Sequence, residues 1–381
     1  MVNSPKLPTD LTFLLEVDAD GDGIRLDQFL AQQYPAVSRS RWSRAIEAGT
    51  ILVDGKVGLT AQKLKSGQRI ERQGVDPAEP VPVPETIVFR GEEPEVLFED
   101  SDILVILKPR GLTVHPGNGI GIEETVVGWA LSRGKLEATI EDFVKEDDRD
   151  PMAEQRPGIV HRLDRVTSGV MVLARNPSAQ TALSKQFEER TAGRLYWAVV
   201  EGSFRGMEKK RPAKVEDLLG KAPPVIGLRI SRPTESGDSI ISLATRLERD
   251  PKDRVRFRVS PSVAGRRAVT HICELSEASG YSVVECKLET GRTHQIRVHL
   301  GFLGHPILGD TLYHGKEHHR VWLHAHSLSL AHPKTGERME FTAPWPAADM
   351  EWLRAQGLVL STRRELWNAL KSHSRRDGHE D

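Results

Sequence analysis

His161-Arg162-Leu163-Asp164-Arg165-Val166-Thr167-Ser168-Gly169 lies between two apolar runs, Gly158-Ile159-Val160 and Val170-Met171-Val172-Leu173-Ala174. The second run is short, rich in valine and preceded by glycine, so it reads as a buried strand. The nonapeptide is the turn that feeds it, and it sets one carboxylate beside two arginines. Nearby positive charge favours the ionised form of an acid. An aspartate that is ionised and held in place can act as a nucleophile toward an electrophilic carbon. The tetrapeptide His-Arg-Leu-Asp alone describes an ordinary surface salt bridge. Nine residues in this arrangement are far more specific.

The chain around this turn has 381 residues, 38% hydrophobic and 28% charged, which predicts a globular protein of two domains. Net charge is −1, so no global field draws it toward a polyanion, and any such partner must be met by local patches. Two cysteines argue against a disulfide framework and suit a reducing compartment. Met1 to Asp10 holds one lysine and no apolar core, and no window approaches the roughly 20 apolar residues of a membrane span. These features lead us to expect a cytoplasmic monomer without membrane contact.

Residues 1–16 read as an N-terminal arm with one short strand. A compact unit follows over 17–75. Ile24, Leu26, Phe29 and Leu30 recur at helical spacing before Pro35. Ser38 is placed to cap a second helix over 39–48, with Gly49 beyond its end. Ile51-Leu52-Val53, Asp54-Gly55 and Lys56-Val57 form a hairpin pattern. Between Ala36 and Gln73 there are eight basic and three acidic residues, a local excess of five in a chain whose total is −1. Such a concentration is a footprint for phosphate contacts. Arg39-x-Arg41-x-x-Arg44, then Ile51-Leu52-Val53-Asp54-Gly55-Lys56, then Lys65-x-Gly67-x-x-Ile70 resembles an S4 RNA-binding domain over nearly its full length. The resemblance implies that Arg39, Arg41, Arg44 and Lys56 dock structured RNA.

Alternating prolines from Asp76 to Pro84 mark an extended linker, taken as 76–93. A β-rich domain is expected over 94–348, with a C-terminal helix and charged tail over 349–381. Its strands are predicted at 96–98 and 103–107 (a hairpin), 170–174, 195–200, 269–275, 281–288 and 321–330. Helices are predicted near 125–132, from a cap at Asn176 to about Arg190, and at 349–356. Thr362 and Glu365 resemble a capping box before a last short helix. Residues 133–156 and 203–246 carry no readable pattern, and the second stretch is expected as an insertion at the sheet edge. Cys273 and Cys286 flank Ser279-Gly280 symmetrically, so a two-residue hairpin would set them opposite one another, both reduced.

The nonapeptide resembles the active-site loop of the RluA-type pseudouridine synthases, with Asp164 at the place of the catalytic aspartate. Further blocks follow in that family's order. Lys108-Pro109-Arg110-Gly111-Leu112-Thr113-Val114-His115-Pro116 resembles its early motif. Arg194-Leu195-Tyr196-Trp197 resembles the strand that bears its active-site tyrosine. Leu288-Glu289-Thr290-Gly291-Arg292-Thr293-His294-Gln295-Ile296-Arg297-Val298-His299-Leu300, continuing to Asp310, is the most family-specific block.

The resemblance implies isomerisation of an RNA uridine to pseudouridine. The C1′–N1 bond breaks, the uracil turns while held, and it rejoins through C5. The reaction needs no redox change, so no cofactor is expected. The chain agrees, since it carries no Walker loop, dinucleotide fingerprint or zinc pattern. Asp164 is implied as nucleophile, either attacking C1′ or assisting a route through a glycal. Arg297 is expected to pair with Asp164 and aim it. Tyr196 is expected to stack on the freed uracil and to be, or relay to, the base that removes the C5 proton. Arg162 is implied in base flipping. Leu163 and Ile296 are expected to wall the uracil pocket. His161, Lys108 and His115 are expected to support the loop. Val166 departs from the polar residue many relatives carry, which points to altered substrate contacts.

Two other readings compete with this one. His314, His318, His319, His324 and His326 cluster in sequence, but they lack the spacing and partners of a zinc site, and no metal is expected. A non-catalytic RNA-binding or ribosome-assembly protein would share the S4-like unit, but has no need of Asp164, Tyr196 and Arg297 together. The expected protein is α+β: an S4-like RNA-binding domain, then a mixed, mostly antiparallel sheet with flanking helices. Large-subunit ribosomal RNA is the expected substrate and transfer RNA the alternative, by family analogy alone.

Overall fold

In the N-terminal unit the helical spacing of Leu26, Phe29 and Leu30 becomes helix α1 (Leu26–Gln33), which buries all three. The computed structural model describes residues 11–34, 39–73, 87–116, 120–136, 158–205, 227–231, 239–262, 265–361 and 366–367. Ser38 and the Thr362–Glu365 box lie outside them. Helix α2 (Arg39–Glu47) is closed by Gly49 at φ +76°, a left-handed C′ position that favours glycine. Strands β2 (Ile51–Val53) and β3 (Lys56–Val57) form the hairpin. Asp54 and Gly55 have φ of 51° and 75°, as a type I′ turn requires. Strand β4 (Arg69–Gln73) pairs with β2.

The short strand expected in the arm over residues 1–16 is present. This strand, β1 (Leu11–Glu16), pairs with β4 and makes the edge of a four-stranded sheet ordered β1-β4-β2-β3. Leu14 and Leu15 pack against the core formed by α1, α2 and β2, and that burial ties the segment down.

The described chain separates into two compact units, the second beginning at Ile87. The end of the expected linker is therefore part of the second unit: Arg90 N–H donates to Glu123 O at 2.9 Å. The C-terminal helix, here Ala347–Ala355, also belongs to it, with Trp352 lying 4.5 Å from the Trp322 ring.

The second unit is built on one mixed sheet of eleven strands among the described residues. Its strands are β5 (Glu95–Glu99), β6 (Ile103–Lys108), β7 (Ser168–Ala174), β8 (Gly193–Glu201), β9 (Gly227–Ser231), β10 (Ile240–Arg249), β11 (Phe257–Val259), β12 (Arg266–Ala278), β13 (Tyr281–Leu288), β14 (Leu323–Ala331) and β15 (Arg338–Thr342). The order is β11-β10-β12-β13-β8-β14-β7-β6-β5, with β9 beside β10 and β15 beside β14. The β14–β7 pair is parallel and the other strand pairs are antiparallel. β6 and β7 are buried almost throughout, which is why they read as continuous apolar runs. Helices α3 (Val126–Ser132) and α4 (Pro177–Glu188) follow their caps, Thr125 and Asn176, whose side chains accept from Gly128 N and Ala179 N.

Two expectations over the sheet change. The unreadable stretch at 203–246 supplies β9 and the start of β10, which pair with each other near one edge; residues 206–226 and 232–238 lie outside the described set. Ser279 and Gly280 do form a tight turn, with φ of 53° and 79°. A bulge between Glu274 and Ser276 then shifts the register by one residue, so Cys273 faces Glu285 and Cys286 faces Ile272. Both thiols are free and buried.

Candidate active site

The Asp164 loop is fixed from both ends before any functional group is considered. Where it enters β7, Ser168 and Gly169 run parallel to His324 and Ala325 of β14. Gly169 has φ +128°, and a Cβ there would lie 2.3 Å from Ala325 O. Only glycine permits that approach. On the other side, Gly111 N–H donates to Arg165 O at 2.7 Å, and Arg165 Nε returns a bond to Gly111 O at 3.0 Å. The early motif thereby holds the loop.

Lys108 is fully buried and donates from Nζ to Pro109 O and Leu112 O, both at 2.8 Å. Burial pulls its pKa down to about 7, against the opposing charge of Asp164. His161 accepts at Nε2 from Val172 N–H at 3.1 Å and stacks on Phe187 at 4.6 Å. Burial pushes its pKa down to about 3, so it stays neutral and cannot act as an acid near neutrality. His115 bonds Pro116 O at 3.0 Å. None of these three side chains lines the cleft that Asp164 enters.

That cleft gathers side chains from distant parts of the chain. Asp164, 17% exposed, shares it with Arg162, Leu163, Tyr196, Ile296 and Arg297. Leu163 and Ile296 are buried apolar walls, and Arg162 is exposed at the rim. Tyr196, from β8, is buried, and that burial raises its pKa, so the resting phenol is protonated. Ile296 and Arg297 come from helix α5 (Gln295–Phe302), for which the sequence pattern holds no helix. Its Gln295 bonds Val269 O and Thr270 Oγ1 and accepts from Thr290 Oγ1 and Arg292 N–H. Its His299 is held between the hydroxyls of Thr245 and Thr270, each at 2.8 Å. These anchors seat the helix on β10 and β12.

Arg297 carries the main difference from expectation. Its Nη1 lies 3.6 Å from Asp164 Oδ2, but its closest partner is Asp310, reached by Nε and Nη2 at 2.7 and 2.8 Å. Burial works against the guanidinium charge, yet the bonds and charge of Asp310, and then Asp164, outweigh it and raise the pKa. Two carboxylates thus share one buried cation, with Asp310 holding it and Asp164 taking the looser position. Asp310 stands at the end of a recognised block, and its pairing cannot be read from spacing. Arg194, Arg292 and His294 also line the cleft, and the sequence pattern does not single them out as site residues.

In the first unit Arg39, Arg41 and Arg44 lie on α2, and Lys56 is exposed on the hairpin. The candidate zinc histidines have other partners. His324 bonds Ser168 Oγ and Ala343 O, His319 reaches Asp349, and His318 accepts from Trp322 Nε1. His326 stacks on Trp197 at 4.0 Å, and its Nε2 lies 2.9 Å from Glu285 Oε1, off the hydrogen-bonding angle.

Comparison with known proteins meets this geometry. The family model described as RNA pseudouridylate synthase matches residues 102–301, more than half of the chain, and the S4 domain model matches 24–70. An uncharacterized RNA pseudouridine synthase of Synechocystis sp. is 37% identical over 345 residues, covering 87% of this chain and 90% of its own. Ribosomal large subunit pseudouridine synthase D of Xanthomonas campestris is 36% identical over 340 residues, covering 85% and 86%. An uncharacterized RNA pseudouridine synthase of Bacillus subtilis is 33% identical, covering 87% and 95%. The matched span takes in the Asp164 loop, the Tyr196 strand and Arg297, and the chain belongs to the RNA pseudouridylate synthase family, with an S4 domain ahead of its catalytic unit.

Proposed function

We propose that this enzyme isomerises uridines of large-subunit ribosomal RNA, with Asp164 as the reacting carboxylate. The observation that carries the reading is Asp164 itself: partly open to a cleft, 3.6 Å from a buried guanidinium and walled by Leu163 and Ile296. The substrate assignment leans on the Xanthomonas relative, whose name is ribosomal large subunit pseudouridine synthase D.

Arg162, at the rim, takes the target nucleotide out of its stack. The uracil lies between the apolar walls and Tyr196. Asp164 acts at C1′ by direct attack or through a glycal, and both routes use an ionised oxygen. After the base turns, C5 bonds to C1′, the C5 proton leaves and N1 gains a proton, so the atoms balance without an external reactant. Because Tyr196 rests protonated, it serves as the proton relay rather than as a standing phenolate. The S4 unit supplies docking through Arg39, Arg41, Arg44 and Lys56. The enzyme works as a cytoplasmic monomer, and no helix among the described residues is long and apolar enough to cross a membrane.

Pseudouridine mapping of total RNA with and without the gene tests the substrate. Marks lost from large-subunit RNA and restored by the wild-type gene, but not by Asp164→Ala, are the expected result. Loss confined to transfer RNA would reverse the substrate assignment. Conversion by Asp164→Ala would remove the mechanism.

A further inference from the structure

The turn before α5 places a histidine in the cleft under unusual restraint. His294 sits in the left-handed region at φ 57° and ψ 17°, a conformation that strains a non-glycine residue. Its Nδ1 lies 2.8 Å from Tyr313 Oη, and that same oxygen accepts from Phe257 N–H at 2.9 Å. Tyr313 is buried, and its pKa is pushed up to about 12 by that burial, so its hydroxyl carries a proton. Donation of that proton to Nδ1 is one of the two arrangements this contact allows, and it is the one we take. His294 is then the tautomer with hydrogen on Nε2, and burial holds its pKa below the ordinary value, so it is neutral. Nε2 has no hydrogen-bond partner among the described residues, and His294 lines the cleft. The ring is held by Phe257 edge-on at 5.8 Å and by Tyr313 at 5.6 Å.

The charges around His294 indicate what it faces. Asp164, Arg297, Asp310 and Arg162 act on it, whereas Arg194 and Asp164 act on Tyr196. Both rings therefore line the cleft within electrostatic reach of Asp164. With uracil against Tyr196 in the proposed pose, His294 and Arg162 are polar groups of the same cleft left for the sugar and phosphate.

We infer that His294, aimed by Tyr313, donates its Nε2–H to a sugar or phosphate oxygen of the target nucleotide and so positions C1′ over Asp164. The inference rests on the proposed role of Asp164. A fixed neutral donor suits this place, because a cation there would compete with Arg297 for the carboxylate.

Single-turnover conversion of a short RNA carrying the mapped uridine tests it. His294→Asn keeps a residue tolerant of the left-handed region and an acceptor for Tyr313, but its amide cannot reach the Nε2 position. We expect its rate to fall on the order of 30-fold with an unchanged melting temperature, a loss equal to about 2 kcal/mol. His294→Gln, which restores a donor near that position, should recover most of the loss. The same variants are then run on RNA with a 2′-deoxy target and on RNA with a methylphosphonate beside it. Removing the accepting oxygen should hurt wild type and leave His294→Asn little further impaired, and the substitution that does so names the oxygen. Fully additive losses with both RNAs, or wild-type rates in His294→Asn, would overturn the inference. Asp164→Asn is the control: if it remains active, the underlying role of Asp164 fails, whereas an inactive Asp164→Asn beside an unimpaired His294→Asn removes only the histidine.

Discussion

Replacing Asp310 with asparagine probes how one buried cation serves two carboxylates. Arg297 is 4% exposed and gives two short bonds to Asp310 and one longer approach to Asp164. Removing one partner of a buried ion pair costs about 3–5 kcal/mol, since the remaining charge is stranded. Asparagine keeps one accepting oxygen, and Asp164 stays within reach, so the loss belongs at the low end, about 3 kcal/mol. In thermal denaturation that corresponds to a drop of roughly 6–10 °C for a unit of this size. The freed guanidinium will turn toward Asp164 and hold its carboxylate more closely, which lowers its nucleophilicity and draws it from C1′. We expect the single-turnover rate to fall about 10- to 100-fold, or about 1.4–2.8 kcal/mol. Loss of tritium from C5-labelled uridine in the substrate RNA measures the rate, and binding to the same RNA measures affinity, which should change little. A variant that melts early but turns over normally would show that Asp310 supports the fold and does not tune Asp164. Unchanged stability and rate together would refute the shared-cation account.

Other outcomes follow from the same geometry. Gly169→Ala forces a Cβ to within 2.3 Å of Ala325 O at a φ of +128°, so it should separate β7 from β14, lowering stability and abolishing conversion; a variant with normal melting would refute the close approach. His299 is held near pKa 3, far below its unfolded value of about 6.5. The folded protein therefore binds fewer protons than the unfolded chain between those values, and its stability is full above pH 6.5 and falls as the pH drops toward 3. His299→Gln should flatten that acid limb by up to one proton, read from urea unfolding between about pH 4 and 7; an unchanged slope would show that His299 titrates normally. Reversing the charge of Arg39, Arg41, Arg44 and Lys56 should weaken RNA binding and lower its salt slope by about one for each phosphate no longer neutralised. An unchanged slope would place the docking surface elsewhere.

The two-part organisation was legible where local chemistry decides. The Asp54-Gly55 turn, the Asn176 cap and the apolar runs of β6 and β7 form as their residues dictate. Helix α5 was hidden for a physical reason. Gln295 through Leu300 are all buried, so polar and apolar side chains alternate without an amphipathic stripe. The expected Cys273–Cys286 register fails because a single bulge, invisible in composition, moves one strand by a residue. The short strand of the arm is legible, but its partner β4, more than fifty residues away, is not, because pairing depends on tertiary contact.

By itself the sequence determined that Asp164 stands beside arginines in a turn, that a basic unit precedes it, and which family it resembles, because those properties belong to neighbours along the chain. Tertiary structure alone decided that Arg297 is held by Asp310, that Tyr313 orients His294 and that Gly169 must lack a side chain. Each depends on atoms far apart in sequence brought within a few ångströms, and at that range geometry, which no spacing encodes, selects the partner.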